Sequence, residues 1–396
     1  MKIAMIVDGL NIGGIERVCI DYTKLLLQLG HQVTVINLNP RKNSLQKDFP
    51  TEVKIKNFNF SRNLCGERYA QLIKRGSSGK YIYPLIYTSL KFVELKKKLE
   101  AHTKYKENYD LAIAFSGHFN DLTFVADNFL RARYKLAWMH GALYGYLLIS
   151  DGYYNLYKKI KNLVCLVDDA QDEALVYNHD KCLNIYKLYN PTSISSKVVN
   201  EKKVQELKDK YGKFLIMVSR FEYPHKDHYT VCRAFEILRS KFKEPVNLVF
   251  IGDGPEEKRV REFTNSLPKS VSEHIYFLGK KDDVQNYYKA AYIMVHASVA
   301  GEGLPTVQLE ALSYGLPQVV TDSKVGPREI LGDNKYGLLA EVKNPNDMAN
   351  KMKELLDNQS LYKYYRNVSA ERMEDFLPNT IKIKLDSILN EIVKKN

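Results

Sequence analysis

A chain of 396 residues is too long for one hydrophobic core and implies two domains of roughly 150–200 residues each. Its 45% hydrophobic and 27% charged content excludes a disordered or low-complexity chain, and no stretch approaches the ~18–20 apolar residues of a membrane span. The formal charge of +13 is uneven, because residues 41–106 hold 16 Lys and Arg against 5 Asp and Glu. Five scattered cysteines (Cys19, Cys65, Cys165, Cys182 and Cys232) show no C-x-x-C, which argues against a disulfide framework or zinc site and for a reducing cytoplasm. The apolar run Ile3 to Val7 is cut by Asp8 and is too short for a signal peptide.

Lys2 to Val7 reads as a strand, followed by D-G-L-N-I-G-G-I-E-R-V, a helix over Cys19–Leu29 ending at Gly30, and a strand over His31–Leu38. Strand, glycine turn, helix and strand make a βαβ unit, so the fold class is α/β with a mainly parallel sheet. Gly13 and Gly14 allow backbone to approach a ligand that a Cβ would exclude. The turn is not the dinucleotide fingerprint G-x-G-x-x-G, which counts against a nicotinamide-dependent oxidoreductase.

Within the basic segment, Leu85 to Leu99 places Leu85, Tyr87, Leu90, Val93, Leu95 and Leu99 along a broad helical stripe beside Lys91, Lys96, Lys97 and Lys98. Such a helix suits either a core with a solvated lysine face or an anionic membrane surface. Tyrosines 69, 81, 83 and 87 favour the membrane. Further strands are expected at Val53–Phe58, Leu111–Phe115, Lys135–Met139, Leu163–Val167 and Asn184–Leu188. Two of these end just before histidines, His118 in S-G-H-F-N-D and His140 in H-G-A-L-Y-G, where parallel sheets hold their ligands.

Asn190-Pro191 opens a polar linker, N-P-T-S-I-S-S, dividing residues 1–190 from residues 191–375. A second βα series follows, with strands at Lys213–Val218, Val246–Ile251, Ile275–Leu278, Ala291–Ala297, Gln318–Thr321 and Gly337–Leu339. The first leads into S-R-F-E-Y-P-H-K, where Arg220 and Lys226 offer a rigid fork and a mobile point charge suited to a diphosphate. The second leads into G-D-G-P, with Gly252 and Gly254. The strand Ala291–Ala297 precedes A-G-E-G-L-P-T-V-Q-L-E-A-L-S-Y-G, in which Glu302 and Glu310 lie either side of a strand-to-helix turn. Amides around Leu304 to Val307 at that helix start favour an anion, and carboxylates beside an anion site suit a ligand with both hydroxyls and phosphates.

The ordered set G-G-I-E-R-V, S-R-F with Lys226, F-I-G-D-G-P, F-L-G near residue 278, E-G-L-P-T-V-Q-L-E-A-L and G-P-R-E-I-L resembles the retaining glycosyltransferases of family 4, of the bacterial surface-polysaccharide type. The resemblance implies the GT-B fold, two Rossmann-like domains with parallel sheets facing across a cleft. A C-terminal helix over about residues 376–396 is a candidate to pack back on the first, acceptor-binding domain. It further implies that Arg220 and Lys226 neutralise a donor diphosphate, that Glu310 accepts from ribose hydroxyls, and that Glu302 lies against the donor sugar. Gly13, Gly14, Gly252, Gly254, Gly303, Leu304, Pro305 and Thr306 would line the donor. The family histidine that touches the transferred sugar falls on His118, after the fourth strand, or on His140 in the next loop.

The function so implied is transfer of a hexose or N-acetylhexosamine, from a nucleotide sugar such as a UDP-sugar to a lipid-linked or surface-glycan acceptor. The pathways expected are capsule, exopolysaccharide, lipopolysaccharide or teichoic acid synthesis. No Asp-x-Asp occurs in the chain, so no metal and no cofactor is expected. The partners expected are the donor, a glycan or polyprenyl-diphosphate acceptor, and an anionic membrane surface through residues 41–106 at the inner face of the plasma membrane. A nucleic-acid-binding protein is the alternative that the basic charge suggests, but the basic segment holds no recognised module and the second half is nearly neutral. A catalytically silent scaffold is the other, against which the intact glutamate and basic pairs stand.

Overall fold

The computed structural model describes residues 1–141, 143–192, 198–299, 303–323 and 326–395. The chain divides into two compact units, one formed by Met1–Pro191 with the C-terminal stretch from Pro378, the other by Thr192–Leu377.

The first unit contains β1 (Lys2–Val7), α1 (Gly14–Gln28), β2 (Gln32–Asn37), β3 (Lys54–Asn57), α2 (Ser77–Lys104), β4 (Asn108–Ala114) and α3 (Phe119–Ala126). Strands β5 (Arg131–Met139), β6 (Asn162–Cys165) and β7 (Asn184–Lys187) complete it. The sheet runs β3-β2-β1-β4-β5-β6-β7, with every pairing parallel. The interior strand β1 is apolar from Ile3 to Val7 because both faces are covered: Ile3 to Ile6 are wholly buried and Val7 nearly so. Burial of each larger side chain there contributes about 1.5–3 kcal/mol, so a charge placed at Ile3 to Ile6 would be strongly destabilising.

Helix α1 starts at Gly14, five residues before the expected Cys19. Gly13 is the extended N-cap, and its carbonyl accepts the Arg17 N–H at 3.2 Å. The poor helix propensity of two glycines hid this start. Its far end closes as expected on Gly30, at φ +78°, with His31 N–H donating to the Leu26 carbonyl at 3.0 Å.

The helix expected over Leu85–Leu99 is the middle of the longer α2, and the expected stripe divides between two faces. Tyr87 and Leu90 are half-buried against the unit. Tyr81, Leu85, Phe92, Leu95 and Leu99 are instead more than half exposed. Their spacing of 4, 7, 3 and 4 keeps them on one side of the helix. Lys91 is not part of a solvated lysine face, since its Nζ bonds to Glu94 at 2.5 Å and to Asp127 at 2.7 Å.

The second unit holds β8 (Phe214–Val218), α4 (His228–Ser240), β9 (Asn247–Ile251), β10 (Ile275–Phe277), β11 (Ile293–His296), α5 (Thr306–Ser313), β12 (Gln318–Thr321) and β13 (Leu338–Ala340). Its sheet runs β10-β9-β8-β11-β12-β13, again all parallel. Phe221, Val231, Phe235, Phe250, Val295 and Met348 share its core. The C-terminal helix Pro378–Lys395 buries Ile381, Leu385, Ile388 and Ile392, a one-sided stripe, and Tyr134 of the first unit donates its hydroxyl to the Val393 carbonyl at 3.4 Å.

In each sheet the first strand lies between the second and the fourth, so the order reverses there. Parallel sheets bind ligands outside the carboxyl ends of their strands at such a reversal. In the first unit this point joins the loop after β1 to the loop after β4. In the second it joins the loop after β8 to the loop after β11. G-G-I-E-R-V, S-G-H-F-N-D, S-R-F with Lys226 and E-G-L-P-T-V-Q-L-E-A-L follow these four strands, whereas His140, G-D-G-P and G-P-R-E-I-L follow β5, β9 and β12.

Candidate functional site

The loop after β8 carries Arg220 and Lys226 and is anchored at several points. Ser219 N–H donates to Ile251 O at 2.9 Å, and Phe221 N–H donates to Asp253 O at 2.9 Å. Phe221 is buried and stacks on His228, with ring centroids 4.0 Å apart. Burial pushes the His228 imidazole down to about 3, so the ring is neutral, and it shares a 3.0 Å hydrogen bond with Ser219 Oγ. Gly252 and Gly254 make this fit possible. A Cβ on Gly252 would stand 1.9 Å from Ser219 O, and one on Gly254 would stand 2.5 Å from Phe221 O. Their φ values of +139° and +155° also favour glycine. The two glycines thus seat the loop that carries the cations.

The same loop is tied to the end of β11. Asp227 N–H donates to Ala297 O at 2.8 Å, and Val299 N–H donates to Pro224 O at 3.1 Å. Lys226 consequently reaches inward, its Nζ 3.3 Å from Nε2 of the buried His296. Arg220 takes the opposite course: its side chain is 70% exposed and pairs with Glu222 at 3.2 Å. The sequence sets the two cations, a rigid fork and a mobile point charge, on one diphosphate, and the fold separates them into an inner lysine and a rim arginine. An exposed pair such as Arg220–Glu222 is worth only about 0–1 kcal/mol, so an incoming anion can displace the glutamate.

Glu302 lies outside the described residues. Beyond it, Gly303 packs its carbonyl against Gly326, where a Cβ would come within 1.8 Å. Gly326 of G-P-R-E-I-L therefore holds the turn that leads into α5. Leu304 is half-buried, Pro305 is the buried N-cap and Thr306 is exposed. First-turn amides of α5 lack helical acceptors, as at any helix start. Glu310, about one turn in, accepts a hydrogen bond from the Tyr288 hydroxyl at 3.1 Å. Tyr288 is buried and stacks on Tyr314. Burial, reinforced by the Glu310 carboxylate, holds the Tyr288 hydroxyl protonated well beyond the usual phenol range.

In the first unit Gly14 opens α1, and a Cβ there would meet no atom within 4 Å, whereas one on Gly13 would collide with Glu16. The loops after β1 and β4 converge on Asp8. Its amide donates to Ser116 Oγ at 2.9 Å, while its carboxylate accepts from Arg62 Nε at 2.6 Å and from the Asn120 side chain. His118 Nδ1 stands 3.3 Å from Asp8 Oδ2. Burial alone would raise the Asp8 pKa, but His118, Asn120 and Arg62 outweigh it and keep the carboxyl below its ordinary value. Asp121 caps the β4 loop by accepting from Gly117 N–H at 2.9 Å and His118 N–H at 2.7 Å. Its complete burial pushes it up to about 7.

The two candidate histidines differ. His140 donates Nε2–H to Phe115 O at 2.6 Å, and burial brings it down to about 4, so it is a neutral, anchored ring. His118 is partly open, with 29% of its side chain exposed, and faces a carboxylate. Of the two rings, His118 is the one that faces a carboxylate rather than a backbone carbonyl. Sequence reasoning missed Asp8, Asn120, Asp121, Tyr288 and His296. A histidine inside the apolar run A-Y-I-M-V-H-A was the one legible signal among them.

Residues 198–372 match the family described as glycosyl transferases group 1. Over 220 residues the chain is 30% identical to the Campylobacter jejuni N-acetylgalactosamine-N,N'-diacetylbacillosaminyl-diphospho-undecaprenol 4-alpha-N-acetylgalactosaminyltransferase, covering 54% of this chain and 56% of that one. The chain thus spans little more than half the length of this and other curated relatives it matches. A second Campylobacter jejuni enzyme, a GalNAc-alpha-(1->4)-GalNAc-alpha-(1->3)-diNAcBac-PP-undecaprenol alpha-1,4-N-acetyl-D-galactosaminyltransferase, is 22% identical over 99% of both chains. Among solved structures, Anabaena HepE in complex with UDP superposes with a TM-score of 0.73 at 19% identity, over 99% of this chain and 100% of that one. With two parallel α/β units and this structural likeness, the chain has the GT-B fold, and its residues 198–372 are similar to the glycosyl transferases of group 1.

Proposed function

We propose that the chain is a retaining, metal-independent transferase that moves a hexose or N-acetylhexosamine from a UDP-sugar to a lipid-linked glycan in surface-polysaccharide assembly. The observation that carries this reading is Lys226, drawn in to His296 at the end of β11, in the unit that also holds Glu310 on Tyr288. A fixed cation beside helix-start amides stabilises negative charge as it develops on a departing diphosphate, usually a large catalytic term. In the reaction the bond from the anomeric carbon to the diphosphate oxygen breaks, and its electron pair leaves with the UDP. The acceptor hydroxyl attacks from the same face, and its proton passes to the leaving phosphate oxygen.

Glu310 is assigned to the ribose hydroxyls, His118 to the transferred sugar, and Arg220 to the outer phosphate. Arg220 and Lys226 take the place of a bridging metal, consistent with the lack of Asp-x-Asp. The acceptor class is supported by the names of the two Campylobacter enzymes, both of which act on undecaprenol-linked diphosphates. Among the described residues no helix is long and apolar enough to cross a membrane. We assign contact with an anionic membrane face to the exposed stripe of α2. Screening nucleotide sugars for slow donor hydrolysis tests the reading without knowledge of the acceptor. Absence of both hydrolysis and UDP binding across all donors would sink it.

A further inference from the structure

The first unit contains a cavity of about 640 Å³ that the donor assignments leave unused. It lies beyond the carboxyl ends of β1, β2 and β3, and Asp8, Arg41, Lys42, Arg62 and Arg68 line it. Four cations against one carboxylate leave an excess of three positive charges. Arg62 is spoken for, since it grips Asp8 through two nitrogens. Arg41, Lys42 and Arg68 have no ion-pair partner among the described residues, and all three are exposed.

The cavity is built rather than incidental. The Lys42 carbonyl accepts from Leu10 N–H at 2.8 Å and from the buried Asn37 side chain at 3.0 Å. Lys42 N–H donates to Asn39 O at 2.8 Å. The aliphatic stem of Lys42 lies over Gly9, where a Cβ would stand 2.9 Å from its Cδ. The loop bearing the cations is thus fixed to the loop after β1. The rest of the lining is mixed: Asn39 and Asn59 offer amides suited to sugar hydroxyls, while Leu38 and Phe60 give an apolar floor. Guanidinium forks match phosphate oxygens in pairs, and the volume is that of a small-molecule site.

We propose that this cavity binds a sugar joined to a diphosphate, the polar end of the acceptor, with Arg41, Lys42 and Arg68 on the phosphates. This rests on the transferase reading for the ligand's role, but the binding can be measured without it. The arginines and Lys42 are labelled with phenylglyoxal and acetic anhydride, with UDP present at saturation to occupy the donor site, and each residue is read by mass spectrometry. The probes are farnesyl-diphospho-N-acetylglucosamine, inorganic pyrophosphate and phosphatidylglycerol vesicles.

The farnesyl compound should protect Arg41, Lys42 and Arg68 at a concentration at least ten-fold below that at which pyrophosphate does. The double variant Arg41→Gln/Arg68→Gln, changed only at exposed side chains, should need at least ten-fold more of it to protect Lys42. Protection of these residues by vesicles alone would assign the cations to a lipid surface and overturn the proposal. So would their full reactivity under the farnesyl compound while the wild-type chain still binds UDP. A chain that is protected but binds no UDP supports the cavity's ligand and refutes the transferase reading.

Discussion

Lys226 Nζ sits 3.3 Å from His296 Nε2 because two backbone hydrogen bonds, Asp227 to Ala297 and Val299 to Pro224, stitch its loop to the strand that bears the histidine. The ammonium group is positioned before any ligand arrives, which is the condition for stabilising charge without reorganisation. Lys226→Ala should lower kcat for donor hydrolysis and for transfer by about 10²–10³-fold, the cost of losing one preorganised donor to developing charge. Steady-state kinetics with saturating donor measure it. Turnover within a few-fold of wild type would remove the phosphate role.

Tyr288 acts through Glu310. Its buried hydroxyl donates to Oε2 and fixes the carboxylate that we assign to the ribose. A hydrogen bond to a charged group contributes about 1.5–3 kcal/mol. Tyr288→Phe should therefore raise the donor KM by about ten-fold, less than Glu310→Ala does, while kcat moves little. A purely structural role would instead lower thermal stability and leave KM alone, so both quantities are measured on the same variant.

Gly14 offers a cleaner test of where a ligand comes. A Cβ added there meets no protein atom within 4 Å. Alanine is also the better helix former, so the variant should melt no lower than wild type. Loss of donor turnover in that stable variant means that the methyl obstructs a ligand at the start of α1. Unaltered kinetics would show that nothing approaches Gly14.

Much of this was legible in the chain because strands buried on both faces read as unbroken apolar runs, as Ile3 to Val7 does, and because glycines that permit close packing stand out. Gly252 and Gly254 stand out in F-I-G-D-G-P, where the resemblance implies donor lining, and their Cβ side is filled by the loop carrying Arg220. What the sequence hid was direction. Arg220 and Lys226 are both cations in one loop, and only the hydrogen bonds to β9 and β11 turn one to the rim and the other inward. The α2 stripe failed likewise: the neighbours of a long helix decide which of its apolar residues are covered, and Tyr87 and Leu90 proved to be on the covered side. Asp8 had no local mark at all, since its partners Arg62, His118 and Asn120 lie 54 to 112 positions away.

Asp121 makes stability depend on pH in a direction opposite to that of most carboxylates. Its folded value is raised by burial from an ordinary 3.8 to about 7. Between those values the folded chain keeps a proton that the unfolded chain has released, so this group's contribution falls as pH rises from about 4 to about 7. Asp121→Asn retains one acceptor for the Gly117 or His118 amide and cannot ionise. Urea unfolding at pH 5 and pH 8 should show the variant gaining stability relative to wild type at the higher pH. A difference that stays constant with pH would mean that Asp121 titrates normally.

The exposed stripe of α2 predicts a membrane interaction with two separable parts. Leu85, Phe92 and Leu99 stand 73%, 68% and 59% exposed, along one side of a helix whose Lys80 and Lys96 are also exposed. If each inserted side chain contributes about 1.5 kcal/mol, Leu85→Ser/Phe92→Ser should weaken partition onto phosphatidylglycerol vesicles by roughly 10²-fold. Replacing Lys96, Lys97 and Lys98 by Glu should weaken it chiefly at low salt, because those charges act within a Debye length of about 10 Å at 0.1 M. Co-sedimentation across a salt series resolves the two. Binding that ignores both the serine pair and the lysine reversal would detach α2 from the membrane and leave its apolar face to another protein surface.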